Sequence, residues 1–175
     1  MASQNKHLEH LEDELINYGY GGYIASKDLI QNFIDELGGR PTGNVTVTTK
    51  WDGAPAVFCG TDPSDGKFFV AKKSVFNATP KLYKTAAEID ADGLSGSLNS
   101  KFKVALSEFS KLGIKDVLQG DLMYTSDDVD TTTIDGTKYY TFQPNTIVYA
   151  VDVNSDLGKK IKSSKIGVVW HTTYA

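Results

Sequence analysis

Between positions 45 and 59 the chain alternates, turns and begins again. Val45, Val47 and Thr49 alternate with Thr46 and Thr48, which is the two-residue period of a strand, and β-branched side chains suit its pleated surface. Asp52-Gly53 is a turn dipeptide, and Ala56-Val57-Phe58-Cys59 follows at once as a second short strand. Such a pattern commits the chain to a sheet. It also sets Lys50 at the exit of a strand beside a glycine, whose missing side chain lets a ligand or another backbone approach closely. The residues leave two readings of Lys50 open: a solvated charge that keeps a sheet edge soluble, or a nucleophile held on a rigid element.

The 175 residues suit one core-forming domain. We expect an N-terminal helical segment over 1–44, packing on a core over 45–175. Hydrophobic content of 40% and charged content of 23% exclude general disorder. A net charge of −4 argues against coating nucleic acid by bulk electrostatics and leaves room for a local basic groove. Cys59 is the sole cysteine, which excludes an intrachain disulfide and a thiolate zinc cluster. No apolar run approaches the roughly 20 residues of a membrane span, and the polar N-terminus is unlike a signal peptide. The expectation is a reduced, cytoplasmic, monomeric protein.

In chain order, Leu8, Leu11 and Leu15 at helical spacing predict an amphipathic helix over residues 7 to 18. Gly19, Gly21 and Gly22 lack the strand and Lys-Ser/Thr of a P-loop and read as its terminator. Ser26 is placed to cap a second helix with Leu29, Ile30, Phe33, Ile34 and Leu37 on its apolar face. His7 and His10 read as solvated helix surface rather than metal ligands.

After the Lys50 region, Asp62 to Gly66 closes a hairpin onto a returning strand, Lys67 to Phe76, apolar at one end and basic at the other. Pairing with Ala56 to Cys59 would bring Lys72, Lys73 and Ser74 back toward Lys50, which suits a polyphosphate; a solvated edge is the alternative. Residues 78 to 97 read as a loop, with Asp90 to Gly93 a surface turn rather than a calcium site. Leu98, Phe102, Ala105, Leu106, Phe109 and Leu112 predict a third helix ended by Gly113. The segment from Ile114 to Tyr124 reads as a strand delivering Gly120-Asp121, an acid that is costly at a buried strand end without a cation or donors and otherwise a turn cap. Asp127, Asp128 and Asp130 read as a solvated loop. Asp135-Gly136 predicts a two-residue hairpin, Thr146 to Val153 a central strand, and Ile166 to His171 a last one, with His171 either ligand-facing or structural.

Lys50-Trp51-Asp52-Gly53 resembles the K-x-D-G motif of the covalent nucleotidyltransferases, the superfamily of ATP-dependent DNA and RNA ligases and capping enzymes. The chain as a whole resembles an uncharacterised protein family of T4-like marine bacteriophages, which would place it in the infected host's cytoplasm. The resemblance implies an α+β fold, antiparallel sheets with outer helices enclosing a nucleotide, of the ATP-grasp-like ligase adenylation type. It implies Lys50 as the nucleophile that forms lysyl-AMP from ATP with Mg²⁺. Thr49, Asp52, Gly53, Lys72, Lys73 and Asp121 would surround the nucleotide, with Asp121 at the metal as in motif III. Tyr149 or Trp51 would stack on the base where motif IIIa here has Val151 before Asp152. Nucleic-acid ends, RNA or DNA, would accept the AMP. Ile166-Gly167-Val168-Val169 has the outline of motif IV with its acid replaced by Ile166. The motif is then either lost or lies, with motif V, beyond Ala175. A non-catalytic phage structural or accessory protein keeping the fold is the competing reading. No G-x-S-x-G, Cys-His or H-E-x-x-H signal supports a hydrolase.

Overall fold

A computed structural model describes residues 10–40 and 49–174. They fall into two compact units, one within Lys6–Lys50 and one from Trp51 onward. The strand expected over residues 45–48, the helix start at 7–9 with His7, and the expected 44/45 boundary lie outside the described residues; Thr49 and Lys50 themselves are not in a strand.

In the first unit, α1 (Leu11–Leu37) is broken at Gly19, whose φ of 56° and ψ of −127° are not helical. Ser26 Oγ donates to the Leu11 carbonyl at 3.4 Å, whereas fifteen residues of continuous helix would span about 22 Å. The two limbs therefore fold back as a helical hairpin. Small residues make the crossing: a Cβ on Gly22 would lie 1.9 Å from the Glu14 carbonyl oxygen. The glycine-rich stretch does end the first limb, as expected. The second limb, however, resumes at once, so Ser26 is a buried contact inside it and not an N-cap. Glu12, Asp13 and Glu14 fill the first turn, where carboxylates favour the helix dipole.

The second unit is α+β, with two antiparallel sheets and helices among its described residues. β1 (Ala56–Thr61) and β2 (Phe68–Ala71) form the expected hairpin, closed by Ser64 N–H donating to Asp62 Oδ1 at 2.8 Å and by Gly66 at φ 71°. Lys84 Nζ joins Asp62 at 2.6 Å and Asp65 at 2.9 Å across the turn. Its ammonium, with the Ser64 hydrogen bonds, holds the Asp62 carboxyl down to about 2. β2 is shorter than the predicted strand, because Lys73–Phe76 coil into a 3-10 turn.

Residues 78–97 are not simply a loop. Tyr83 bridges Val70 through two backbone hydrogen bonds, and α2 (Ala86–Ala91) is held by a Thr85/Glu88 capping box. Next, α3 (Ser97–Phe109) lays Phe102, Ala105 and Phe109 into the core, and Gly113 at φ 68° ends the turn that follows. β3 (Val117–Thr125) pairs β1 on one side and β7 (Ile166–Tyr174) on the other, giving the order β2-β1-β3-β7. β4 (Asp130–Ile134) and β5 (Thr137–Phe142) form the predicted hairpin, with Asp135 and Gly136 at φ 49° and 80°. Their partner β6 (Tyr149–Asp152) is an edge strand, not the central one expected. α4 (Asp156–Ser163) follows unforeseen, capped where Ser155 Oγ accepts from Gly158 N–H.

Strand alternation divides the four-stranded sheet into two faces. Val57, Cys59, Val70, Leu118, Val168 and Trp170 pack against Phe102, Ala105 and Phe109 of α3. Burial pushes the Cys59 thiol up to about 12, so it is not a nucleophile at neutral pH. Phe58, Phe69 and Ala71 occupy the opposite face with Val117 and Tyr174.

Candidate functional site

That opposite face carries the polar groups. Ala56 pairs Asp121 and Phe58 pairs Gln119, and cross-strand partners share a face, so Gln119 and Asp121 stand in one row beside Phe58. Tyr174 Oη donates to Gln119 Oε1 at 2.6 Å. Phe76 meets Phe58 and Tyr174 edge-on, at 5.2 and 5.3 Å between ring centroids, and is 60% exposed. The face is thus an aromatic floor with an amide and a carboxylate along it.

The Trp51–Pro55 stretch closes one end. It is no tight hairpin turn. Ala54 N–H donates to the Leu122 carbonyl and Leu122 N–H to the Pro55 carbonyl, both at 3.0 Å, so the stretch extends the β1–β3 ladder. Gly53 is required here for space. A Cβ on it would lie 2.6 Å from the Leu122 carbonyl oxygen, 2.8 Å from Met123 Sδ and 3.0 Å from Asp121 Cβ. Asp52 is held from the second sheet. Its N–H donates to Tyr149 Oη at 2.8 Å, and its carbonyl accepts from Asn145 Nδ2 at 2.9 Å and from Tyr149 Oη at 3.3 Å. Trp51 stacks on Tyr149 (5.0 Å, 24°), which stacks in turn on Phe142 (5.5 Å, 17°).

The structure therefore brings together Trp51, Asp52, Gly53, Asp121 and Tyr149. Tyr149 has Trp51 on one face and Phe142 on the other and its hydroxyl accepts from Asp52 N–H. Thr49 and Lys50 are exposed and end the other unit. Lys72 is not brought to Asp121. Ala71 packs with Phe58, so alternation turns Lys72 the other way, where Nζ pairs Asp92 at 3.0 Å and lies 6.0 Å from the Tyr83 ring centroid. Burial alone would lower its pKa, but hydrogen bonds with Asp92 and Tyr83 outweigh this and raise it. Asp92 also receives Lys81 and the Tyr83 hydroxyl, and these donors hold it far below the carboxylate range. Lys73 is exposed on the 3-10 turn, and Ser74 Oγ beside it is buried with no hydrogen-bond partner.

One neighbour of Asp121 comes from an irregularity. Gln119 pairs Thr172 while Gly120 pairs Trp170, leaving His171 as the extra residue of a β-bulge. Bulges redirect side chains, and His171 Nε2 lies 3.6 Å from Asp121 Oδ1. Asn145 carried no sequence signal, because its hydrogen bond spans 93 positions.

A family of unknown function, DUF6267, matches residues 5–175. The chain belongs to this family. No curated protein and no solved structure matches it. Family membership thus names no chemistry, and no helix among the described residues is long and apolar enough to cross a membrane.

Proposed function

We propose that this DUF6267 chain is an ATP-dependent polynucleotide ligase-like nucleotidyltransferase with an ATP-grasp-like adenylation fold, charging itself at Lys50. The observation that supports this most is the seating of Gly53. The glycine of the Lys50-Trp51-Asp52-Gly53 motif is pressed against Asp121, the acid that resembles motif III, although the two lie far apart in sequence.

In the proposed reaction, unprotonated Lys50 Nζ attacks the α-phosphorus of ATP in line. A P–N bond forms, the P–O bond to pyrophosphate breaks, and the nitrogen loses its proton to solvent. Trp51 offers a stacking surface for the base. This reading gives Lys73, exposed on the 3-10 turn, the charge on the phosphates, while Lys72 pairs Asp92 at the end of α2. Asp121, half-buried and beside the motif, suits a hard cation held by one carboxylate plus phosphates; Mg²⁺ so bound would neutralise charge on the leaving group. RNA or DNA ends carrying a 5′-phosphate are the acceptors this reading implies.

Label from α-labelled ATP, tried beside GTP, should stay on the protein through denaturation and be absent from Lys50→Ala. A second reading keeps a specific observation: Ile166, where a motif IV acid would stand, packs half-buried against the α3-side core. A non-catalytic accessory protein of the phage would bind no label with either nucleotide.

A further inference from the structure

We propose that the outward side of α4 is a docking surface for the sugar-phosphate backbone of a nucleic acid. The proposal needs neither ATP nor catalysis, so it stands beside the adenylation reading and does not rest on it. Between Val153 and Lys165 the chain carries four lysines, Lys159, Lys160, Lys162 and Lys165, against one carboxylate, Asp156. The protein as a whole has a net charge of −4, so this stretch reverses its sign locally.

Packing decides which way the lysines point. Gly158 and Ile161 are the buried residues of α4. Ile161 enters the cluster of Met123, Tyr124 and Phe142, and Ser164 Oγ lies 2.9 Å from Tyr124 Oη. These contacts hold the helix against the second sheet and turn its other side to solvent, where all four lysines are exposed. Lys159 and Lys162 share one flank about 4.5 Å apart along the axis, and Lys160 takes the other. Lys159 pairs Asp156 at 3.2 Å and Lys165 pairs Glu108 at 3.3 Å. The ammonium groups of Lys160 and Lys162 have no partner among the described residues.

The chemistry of the surface chooses the partner. Protein interfaces form round desolvated apolar or aromatic anchors and are depleted in lysine, and α4 exposes a single large apolar side chain, Leu157. A helix lying on a membrane needs an apolar face free to enter the lipid, whereas Ile161 is already buried in the protein. Mobile ammonium charges without an apolar anchor match phosphates, whose protein interfaces are polar and strongly positive. They hold a strand without reading its bases.

The test is binding of a fluorescently labelled mixed-sequence oligonucleotide, single-stranded and duplex, to the full chain without ATP, read by anisotropy over a series of salt concentrations. The logarithm of the binding constant should fall linearly with the logarithm of salt, with a slope of about −3 for four lysines. Lys160→Gln and Lys162→Gln should each make that slope shallower by about 1 and weaken binding equally on unrelated sequences. Both side chains are exposed and unpaired, so the variants should keep the fold; Lys67→Gln, on the β1–β2 turn, should bind as wild type does. No binding, or a wild-type slope in both variants, overturns the surface. So do variants that melt lower at an unchanged slope, which would leave the lysines to the helix dipole. Tighter binding of polyglutamate or of anionic lipid vesicles than of either oligonucleotide overturns it too, in favour of a protein or a membrane. Salt-dependent oligonucleotide binding without an adduct at Lys50 keeps the surface and removes the enzyme. An adduct at Lys50 without such binding does the reverse.

Discussion

The two faces of the four-stranded sheet are built from the same strands to opposite ends. Against α3, Val57, Cys59, Val70, Phe102 and Phe109 are at most 2% exposed. The other face places Gln119, Asp121 and His171 among Phe58, Phe76 and Tyr174, and leaves Phe76 largely in solvent. A face built only for stability would bury Phe76 and would not set a carboxylate in its floor. The contrast teaches that one side holds the sheet and the other presents it.

Substitutions on the two faces should separate stability from the proposed nucleotide chemistry. The largest expected effect on stability is Phe102→Ala, about 3–5 kcal/mol from lost burial and the cavity left behind, with AMP labelling per folded molecule unchanged; thermal melts and labelling together check both halves. Gly53→Ala comes next. Its methyl group meets backbone at the Leu122 carbonyl, so we expect about 1–3 kcal/mol of destabilisation together with loss of labelling. If Gly53→Ala folds and labels as wild type does, the close seating of the motif has no functional role. Tyr149→Phe removes the hydroxyl from Asp52 and keeps the ring stack. The cost should be about 1 kcal/mol, lowering the melting temperature by about 3 °C, with labelling slowed about tenfold.

The smallest effect is on pH dependence, at the β1–β2 turn away from both faces. Asp62 titrates near 2 in the folded chain, below the unfolded value of about 3.9. Its pairing with Lys84 therefore stabilises the protein above about pH 4 and is lost as pH falls toward about 2. Asp62→Asn should be slightly less stable at pH 7 and show a shallower decline across that window in acid melts.

How far these faces could be read in advance depended on the range of the interactions. Local periodicity carried α3, the β4–β5 hairpin and the β1–β2 turn, because alternation and Asp-Gly chemistry act over a few residues. Gly158 masked α4: it sits mid-helix because a Cβ there would lie 2.2 Å from the Asp152 carbonyl oxygen, a packing demand with no local trace. α2 is too short to show a period, although Thr85 and Glu88 spelled its capping box. The Lys50-Trp51-Asp52-Gly53 stretch stood out from sequence, yet Asp52-Gly53 was legible only as a turn. Its true demand, space beside Asp121, depends on residues far along the chain. His171 was ambiguous for the same reason, since a bulge is a mismatch between two strands and neither strand alone reveals it.

The most direct measurement is the intact mass of the full chain after incubation with magnesium and ATP, for wild type and Lys50→Ala. Self-adenylation requires a gain of one adenosine monophosphate in wild type, absent in Lys50→Ala and mapping to the peptide that contains Lys50. An unchanged mass in wild type with both ATP and GTP would contradict it and leave the open face to a role without nucleotidyl transfer.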